Sequence, residues 1–325
     1  MNAPLARHLP RLAGVLIAAA FAAACSSPSP PTSPAAGPQT ASSANVSPAR
    51  YRAGTAQASI FSALNAYRMQ CGFPAYAENL TLDQAAQAHA AYMVENDGIA
   101  SDGENALGKH FIGATYADRA IHFGYPPVGV GVGGVANVYM RNITLDEPQY
   151  GQAILEGWLG GVYHAWVVAS PLTELGIGYG QMIDRGYTKV LSNLTLADLE
   201  ALPGDMPLTF PCEGSSGVPY SGSGESPVPP DTHGSWGTPI VLSGNPLDRL
   251  TLTSATLTDS AGTTLVLQAL DNHNDPNHEM EPYSAVAYPT TPLAPQSTYT
   301  ATLVGTINGK AFTRHFTFTT GAGPG

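Results

Sequence analysis

The stretch Thr81-Leu82-Asp83-Gln84-Ala85-Ala86-Gln87-Ala88-His89-Ala90-Ala91-Tyr92-Met93 decides the fold class. Thr81 with Gln84 three residues on has the spacing of a capping box. Leu82, Ala86, His89 and Met93 fall on one face, so the segment predicts an amphipathic helix. Upstream, Ile60, Leu64, Tyr67 and Cys71 recur at helical spacing and predict a helix before it. Downstream, Thr115 with Asp118 opens a third helix that Gly124 ends, and Pro148 starts a fourth with Ile154, Trp158 and Val162 facing inward. Val135 to Asn142 reads as a strand. Gly176 to Ile183 and Tyr187 to Leu194 flank the turn Asp184-Arg185-Gly186 and predict a hairpin. Helices come early and hairpin strands late, which predicts an α+β unit with helices packed on an antiparallel sheet.

Around this unit the chain of 325 residues has room for a second domain. Its 35 glycines and 28 prolines concentrate between packed units rather than inside helices. Thirteen Lys and Arg against 24 Asp and Glu give a net charge of −11, which excludes a nucleic-acid footprint and a polybasic membrane surface. Residues 1–24 carry Arg7 and Arg11, then an apolar run too short to span a bilayer, as in a signal peptide. Phe21-Ala22-Ala23-Ala24-Cys25 resembles a bacterial lipobox, with Ala22 where Leu is usual. That resemblance implies acylation at Cys25 and, with Ser26 next, an anchor in the outer membrane facing the periplasm or the cell surface. Residues 25–50, rich in Ser, Pro and Ala, read as a disordered tether. Residues 51–212 form the mixed unit and 213–234, rich in Gly, Ser and Pro, read as a linker. Residues 235–325 alternate at period two, as in Leu250/Leu252, Leu265/Leu267 and Phe312/Phe316/Phe318. The run Leu293-Ala294-Pro295-Gln296-Ser297-Thr298-Tyr299 resembles the tyrosine-corner stretch of immunoglobulin-like sandwiches, which implies a small all-β sandwich there. With Cys25 set aside, Cys71 and Cys212 either pair or stay as buried thiols; export favours the pair.

Several motifs of the mixed unit, taken in order, resemble the CAP superfamily of cysteine-rich secretory proteins, venom antigens and pathogenesis-related proteins. Asn65 and Arg68 match its N-x-x-R, and Leu82, Ala85, His89, Ala90 and Met93 its second helix. Glu104, Phe111, Gly113, Asp118-Arg119-Ala120 and Gly124-Tyr125 match a bacterial variant. Trp158, Tyr163-His164, Pro171 and Gly176 to Gly178 match the ending. The resemblance covers residues 55 to 195 and implies an α-β-α sandwich with a groove on one side. In many members that groove holds two His and two Glu able to bind a divalent cation.

This chain departs from that set. Asp102 stands where relatives often have His, and Val128 to Gly134 carries no carboxylate. Glu104 and His164 remain in register, and Asp102 or His110 are the nearest further donors, so the expectation is no cofactor, or at most a divalent cation at Glu104 and His164. His89 reads as a buried histidine bonded to a carbonyl, and Arg68, Asp118 and Arg119 as internal pairs or caps. No nucleophile elbow occurs, and the glycines from 129 to 134 lack a phosphate-loop context. Asp271 to Glu279 reads as a solvated loop in which weak calcium binding is the rival possibility. The expected function is therefore non-enzymatic: a lipid or small apolar ligand held in the groove near Asp102, Glu104, His110 and His164. The alternatives are a metal-dependent hydrolase of envelope peptides or peptidoglycan, and an adhesin or scaffold with an envelope protein partner.

Overall fold

The computed structural model describes residues 49–96, 98–126 and 133–323. The expected signal peptide, Cys25, most of the expected tether and residues 128–132 of the glycine-rich run lie outside the described residues. Five helices are α1 Ala56–Gln70, α2 Leu80–Glu95, α3 Tyr116–His122, α4 Glu147–Gly160 and α5 Val162–Val168. The first strands are β1 Ala77–Glu78, β2 Gly133–Met140, β3 Leu172–Asp184 and β4 Tyr187–Leu199. Then follow β5 Leu208–Phe210, β6 Ser215–Val218, β7 Ser221–Ser223, β8 Ser235–Gly237 and β9 Ile240–Ser243. The last are β10 Leu250–Asp259, β11 Thr264–Val266, β12 Gln268–Asp271, β13 Ser284–Tyr288, β14 Thr298–Ile307 and β15 Lys310–Thr320.

Local chemistry explains most boundaries. Thr115 and Asp118 form the expected capping box on α3, and Asp146 with Gln149 forms a second on α4. On α2 the cap is Asn79, whose side chain accepts from the Thr81 and Leu82 N–H groups, so the helix starts before the Thr81 expected from sequence. β3 and β4 pair from Leu172↔Leu199 to Asp184↔Tyr187, a longer hairpin than the sequence pattern suggests. Arg185 and Gly186 both take positive φ (51° and 86°), as a two-residue turn matched to the strand twist requires.

The first sheet runs β1-β3-β4-β2. One face, carrying Leu175, Ile177, Val190, Leu194 and Leu196, joins Ile60, Leu64, Ile154 and Trp158 of α1 and α4 in one core. The other face meets α2: Leu191 packs with Ala90 and Met93, and Asn193 Nδ2 donates to the Ala86 carbonyl at 2.8 Å. That is the α-β-α sandwich expected. Gly176 and Gly178 are what let α2 lie on β3. A Cβ at Gly176 would sit 2.1 Å from the Leu82 carbonyl carbon, and one at Gly178 2.0 Å from the Ala86 oxygen.

The rest is a β-sandwich of two sheets, β11-β10-β14-β15-β6 and β12-β13-β9-β5. Its tyrosine corner forms: the Ala294 N–H donates to the Tyr299 hydroxyl at 3.0 Å. Leu250, Leu252, Leu267, Phe312, Phe316 and Phe318 are core, while Leu265, on the edge strand β11, is exposed.

Residues 213–234 are built into the sandwich instead of linking it. β6 pairs in parallel with β15, and β7 pairs with β8. Gly217 and Gly224 there sit at φ of 71° and 73°, so these glycines serve turns of a packed segment and not chain flexibility. Cys71 and Cys212 form a disulfide. The core of the first unit continues through Phe210, Trp236, Val241, Leu270, Val286 and Tyr288 of the sandwich. The sandwich sheet β12-β13-β9-β5 is thus covered on both faces.

Candidate functional site

The loop Gly98 to Asp102, the middle of β2 (Ala136, Asn137, Val138), His164 of α5, Lys189 of β4, and Gly224 and Ser226 of the sandwich enclose a cleft of about 630 Å³. Of the four groove residues expected from sequence, Asp102 and His164 line this cleft.

Glu104 is withdrawn from it. Its Oε1 lies 3.0 Å from His89 Nδ1 and 3.9 Å from Arg119 Nε, and Oε2 accepts the Ile112 N–H at 3.0 Å. Burial pushes the carboxyl up, but the bonds from His89 and Ile112 and the Arg119 and His89 charges outweigh it, leaving the carboxyl below its ordinary range. His89 behaves as expected of a buried histidine: Nε2 faces the Ser101 carbonyl at 2.7 Å and so carries a proton. Arg119 donates to the Gly113 and Asp102 carbonyls and lies over the Tyr116 ring at 4.5 Å. Together these side chains fix the loop that forms one lip of the cleft. Arg68 does the same job elsewhere, donating to the carbonyls of Pro74, Val168, Ser170 and Leu172.

His110 is exposed and pairs with Glu95 at 3.0 Å, away from the cleft lining. Asp102 presents its carboxylate with Oδ1 held by the Tyr116 hydroxyl at 2.8 Å and the Ala136 N–H at 3.0 Å. Lys189 is 3.4 Å from Asp184. His164 Nδ1 is 3.4 Å from Oε1 of Glu225, a residue that sequence reasoning passed over inside the supposed linker. One signal was there: Glu225 is the sole charged residue between Glu213 and Asp231.

These residues do not fit the cation site that the resemblance implies. Among the described residues no three His, Cys, Asp or Glu side chains converge, because Glu104 has turned inward and His164 faces a single carboxylate. The Asp271 to Glu279 loop is likewise self-satisfied. Asp271 accepts from the Leu252 and His273 N–H groups, and buried Asp275 from Asn277, Glu279, Met280 and the Tyr163 hydroxyl. That loop is docked on α5, which corrects the solvated reading.

A second, more open hollow of about 600 Å³ lies over α2 between Tyr51, Glu78, Asp83, Gln87 and Phe123. Asp83 Oδ1 accepts the Tyr51 hydroxyl at 2.5 Å and the Ile177 N–H at 2.9 Å. Burial, opposed by those two bonds and reinforced by Glu78, pushes Asp83 up to about 6.

Residues 61–192 match the model of CAP, the cysteine-rich secretory protein family. The chain carries a CAP domain. Among solved structures, it is similar to venom allergen-like protein 4 of Schistosoma mansoni at 12% identity, over 47% of this chain and 95% of that one, with a TM-score of 0.27. No curated protein matches it. The matched CAP segment contains Asp102, Glu104, His164 and Lys189, whereas Gly224, Glu225 and Ser226 lie beyond it.

Proposed function

We propose that the protein is an exported, acyl-anchored binding protein whose CAP cleft takes an amphipathic small molecule and does no chemistry on it. One observation carries this reading: the cleft lining combines the apolar side chains of Ile99, Ala136 and Val138 with the polar ones of Asp102, His164 and Lys189. The hollow of about 630 Å³ is of ordinary size for a small ligand. A wholly aliphatic ligand would bury those polar groups unpaired, so the expectation of a lipid or small apolar ligand narrows to one with a polar head. The hydrolase alternative draws no support from the placement of Glu104, which has both oxygens engaged away from the cleft. Export and anchoring through Cys25 rest on the sequence of residues 1–25.

The test is an NMR titration of the exported Cys25→Ser protein with octyl glucoside below its micelle-forming concentration. Amide signals of Ile99, Ala136, Val138 and His164 are expected to move together and saturate. Val138→Trp, which fills the cleft, should abolish the response. Shifts scattered over the surface, or unchanged by Val138→Trp, would refute a cleft ligand.

A further inference from the structure

The C-terminal sandwich places a carboxylate behind His164, a residue of the cleft lining, with its own neighbours Gly224 and Ser226 in that lining. Glu225 is buried, its Oε2 accepting the Val162 N–H at 2.8 Å and its Oε1 the His164 N–H at 2.8 Å. Both N–H groups belong to the first turn of α5, whose own cap, Gly161, has no side chain to offer them. Oε1 also stands 3.4 Å from His164 Nδ1, an electrostatic contact longer than a well-made hydrogen bond. A carboxylate facing a ring nitrogen favours the proton on that nitrogen over a lone pair. The close approach depends on Gly161: a Cβ there would lie 2.7 Å from Glu225 Oε1 and 2.8 Å from His164 Nδ1. Asp102 lines the same cleft and adds a second carboxylate to its surroundings. Glu279 lies within reach of this charge, its carboxyl pushed up by burial and then by Asp275, Asp102 and Glu225. Among the described residues the one cation of the lining, Lys189, is 3.4 Å from Asp184 and so already faces a carboxylate, and the acidic groups around His164 therefore disfavour an anionic head.

We propose that Glu225 is a positioning residue of the cleft, holding the His164 ring with Nδ1–H toward the sandwich and Nε2 toward the cleft as an acceptor, so that the ligand head bound there is a hydrogen-bond donor, such as a hydroxyl group. The second half rests on the binding function proposed above; the first half does not. The sandwich is then part of the site and not an independent module.

Histidine-ring ¹⁵N NMR of the exported Cys25→Ser protein tests the first half without any ligand. The His164 ring is expected as the Nδ1–H tautomer in its neutral form, with the preference lost in Glu225→Gln and in Gly161→Ala. A residue that merely caps α5 would move the Val162 and His164 backbone amides in Glu225→Gln and leave the ring tautomer unchanged, and that result overturns the proposal. An Nε2–H ring in the unsubstituted protein overturns it before any variant is made. For the second half, octyl glucoside should bind about tenfold more tightly than octanoate, whose head only accepts, and the gap should close in Glu225→Gln. Equal binding or a preference for octanoate refutes the donor head. If neither probe binds while the tautomer is as expected, the binding function fails and the positioning role stands.

Discussion

At the scale of single residues, the two motif positions that stay in register, Glu104 and His164, take separate places in the structure. Glu104 anchors a loop through His89 and Arg119, while His164 stays at the cleft. His89→Ala would leave the buried Glu104 carboxylate and the Ser101 carbonyl each with one partner fewer, and a loss of about 3 kcal/mol or more is expected in urea denaturation. A loss below about 1 kcal/mol would mean that the cluster is effectively solvated. Asp83 gives a pH prediction of opposite sense to that of a salt-bridged acid. Its folded value of about 6 lies above the ordinary 3.8, so between the two the native state holds a proton that the unfolded chain has released. Stability conferred by this group therefore rises as pH falls through that window. Asp83→Asn keeps an acceptor for Tyr51 and the Ile177 N–H, and should flatten this slope while gaining about 1 kcal/mol at neutral pH, discounted for partial exposure. An unchanged slope in thermal melts across the window would assign the effect to another group.

At the scale of elements, the pairing of α2 with β3 depends on side chains that are missing. Gly176, Gly178 and Gly180 alternate along β3, so all three point at α2. At Gly178 the obstacle to a Cβ is the Ala86 backbone, at 2.0 Å, whereas at Gly180 the nearest atom is a Val94 methyl at 2.8 Å. Gly178→Ala is therefore expected to cost about 3 kcal/mol or more, and Gly180→Ala about 1 kcal/mol, since a side chain yields where a helix backbone cannot. Similar losses for the two variants in chemical denaturation would show that α2 is free to shift. The sequence displayed the Gly176-x-Gly178 spacing without its purpose, because the helix it faces lies far upstream. α5 escaped sequence reading for a related reason: its seven residues show too little periodicity to register, and its N-terminus is capped by Glu225 from beyond the domain.

At the scale of the molecule, the CAP domain and the sandwich share a core across α4, α5, β9 and β13. Trp236 Nε1 donates to the Gly160 carbonyl at 2.8 Å, the Ser243 hydroxyl to Ala169 at 2.8 Å, and the Tyr163 hydroxyl to Asp275 at 2.7 Å. Calorimetry is expected to show one cooperative transition for residues 49–323, because neither part can unfold without exposing the other's apolar face. Two resolved transitions would contradict this. The Cys71–Cys212 bridge closes a span of 141 residues, so Cys71→Ala/Cys212→Ala should lose up to about 5 kcal/mol by loop-closure entropy. Ile240-Val241-Leu242 and Ala285-Val286-Ala287-Tyr288 already carried a hint of the shared core, since unbroken apolar runs suit strands covered on both faces.

Local sequence determined most of what depends on neighbours along the chain: the α3 capping box, the Arg185-Gly186 turn, the tyrosine corner and the faces of α1 and α2. Residue types also limited the cysteines to one intramolecular pair. Tertiary structure alone decided that Glu104 turns inward, that His110 stays outside, and that residues 213–234 supply two short strands and the Glu225 carboxylate instead of a linker. Caps and turns are set by contacts a few residues apart, which composition and spacing encode. Glu225 reaches α5 across more than sixty positions, and no period in the sequence records a contact of that length.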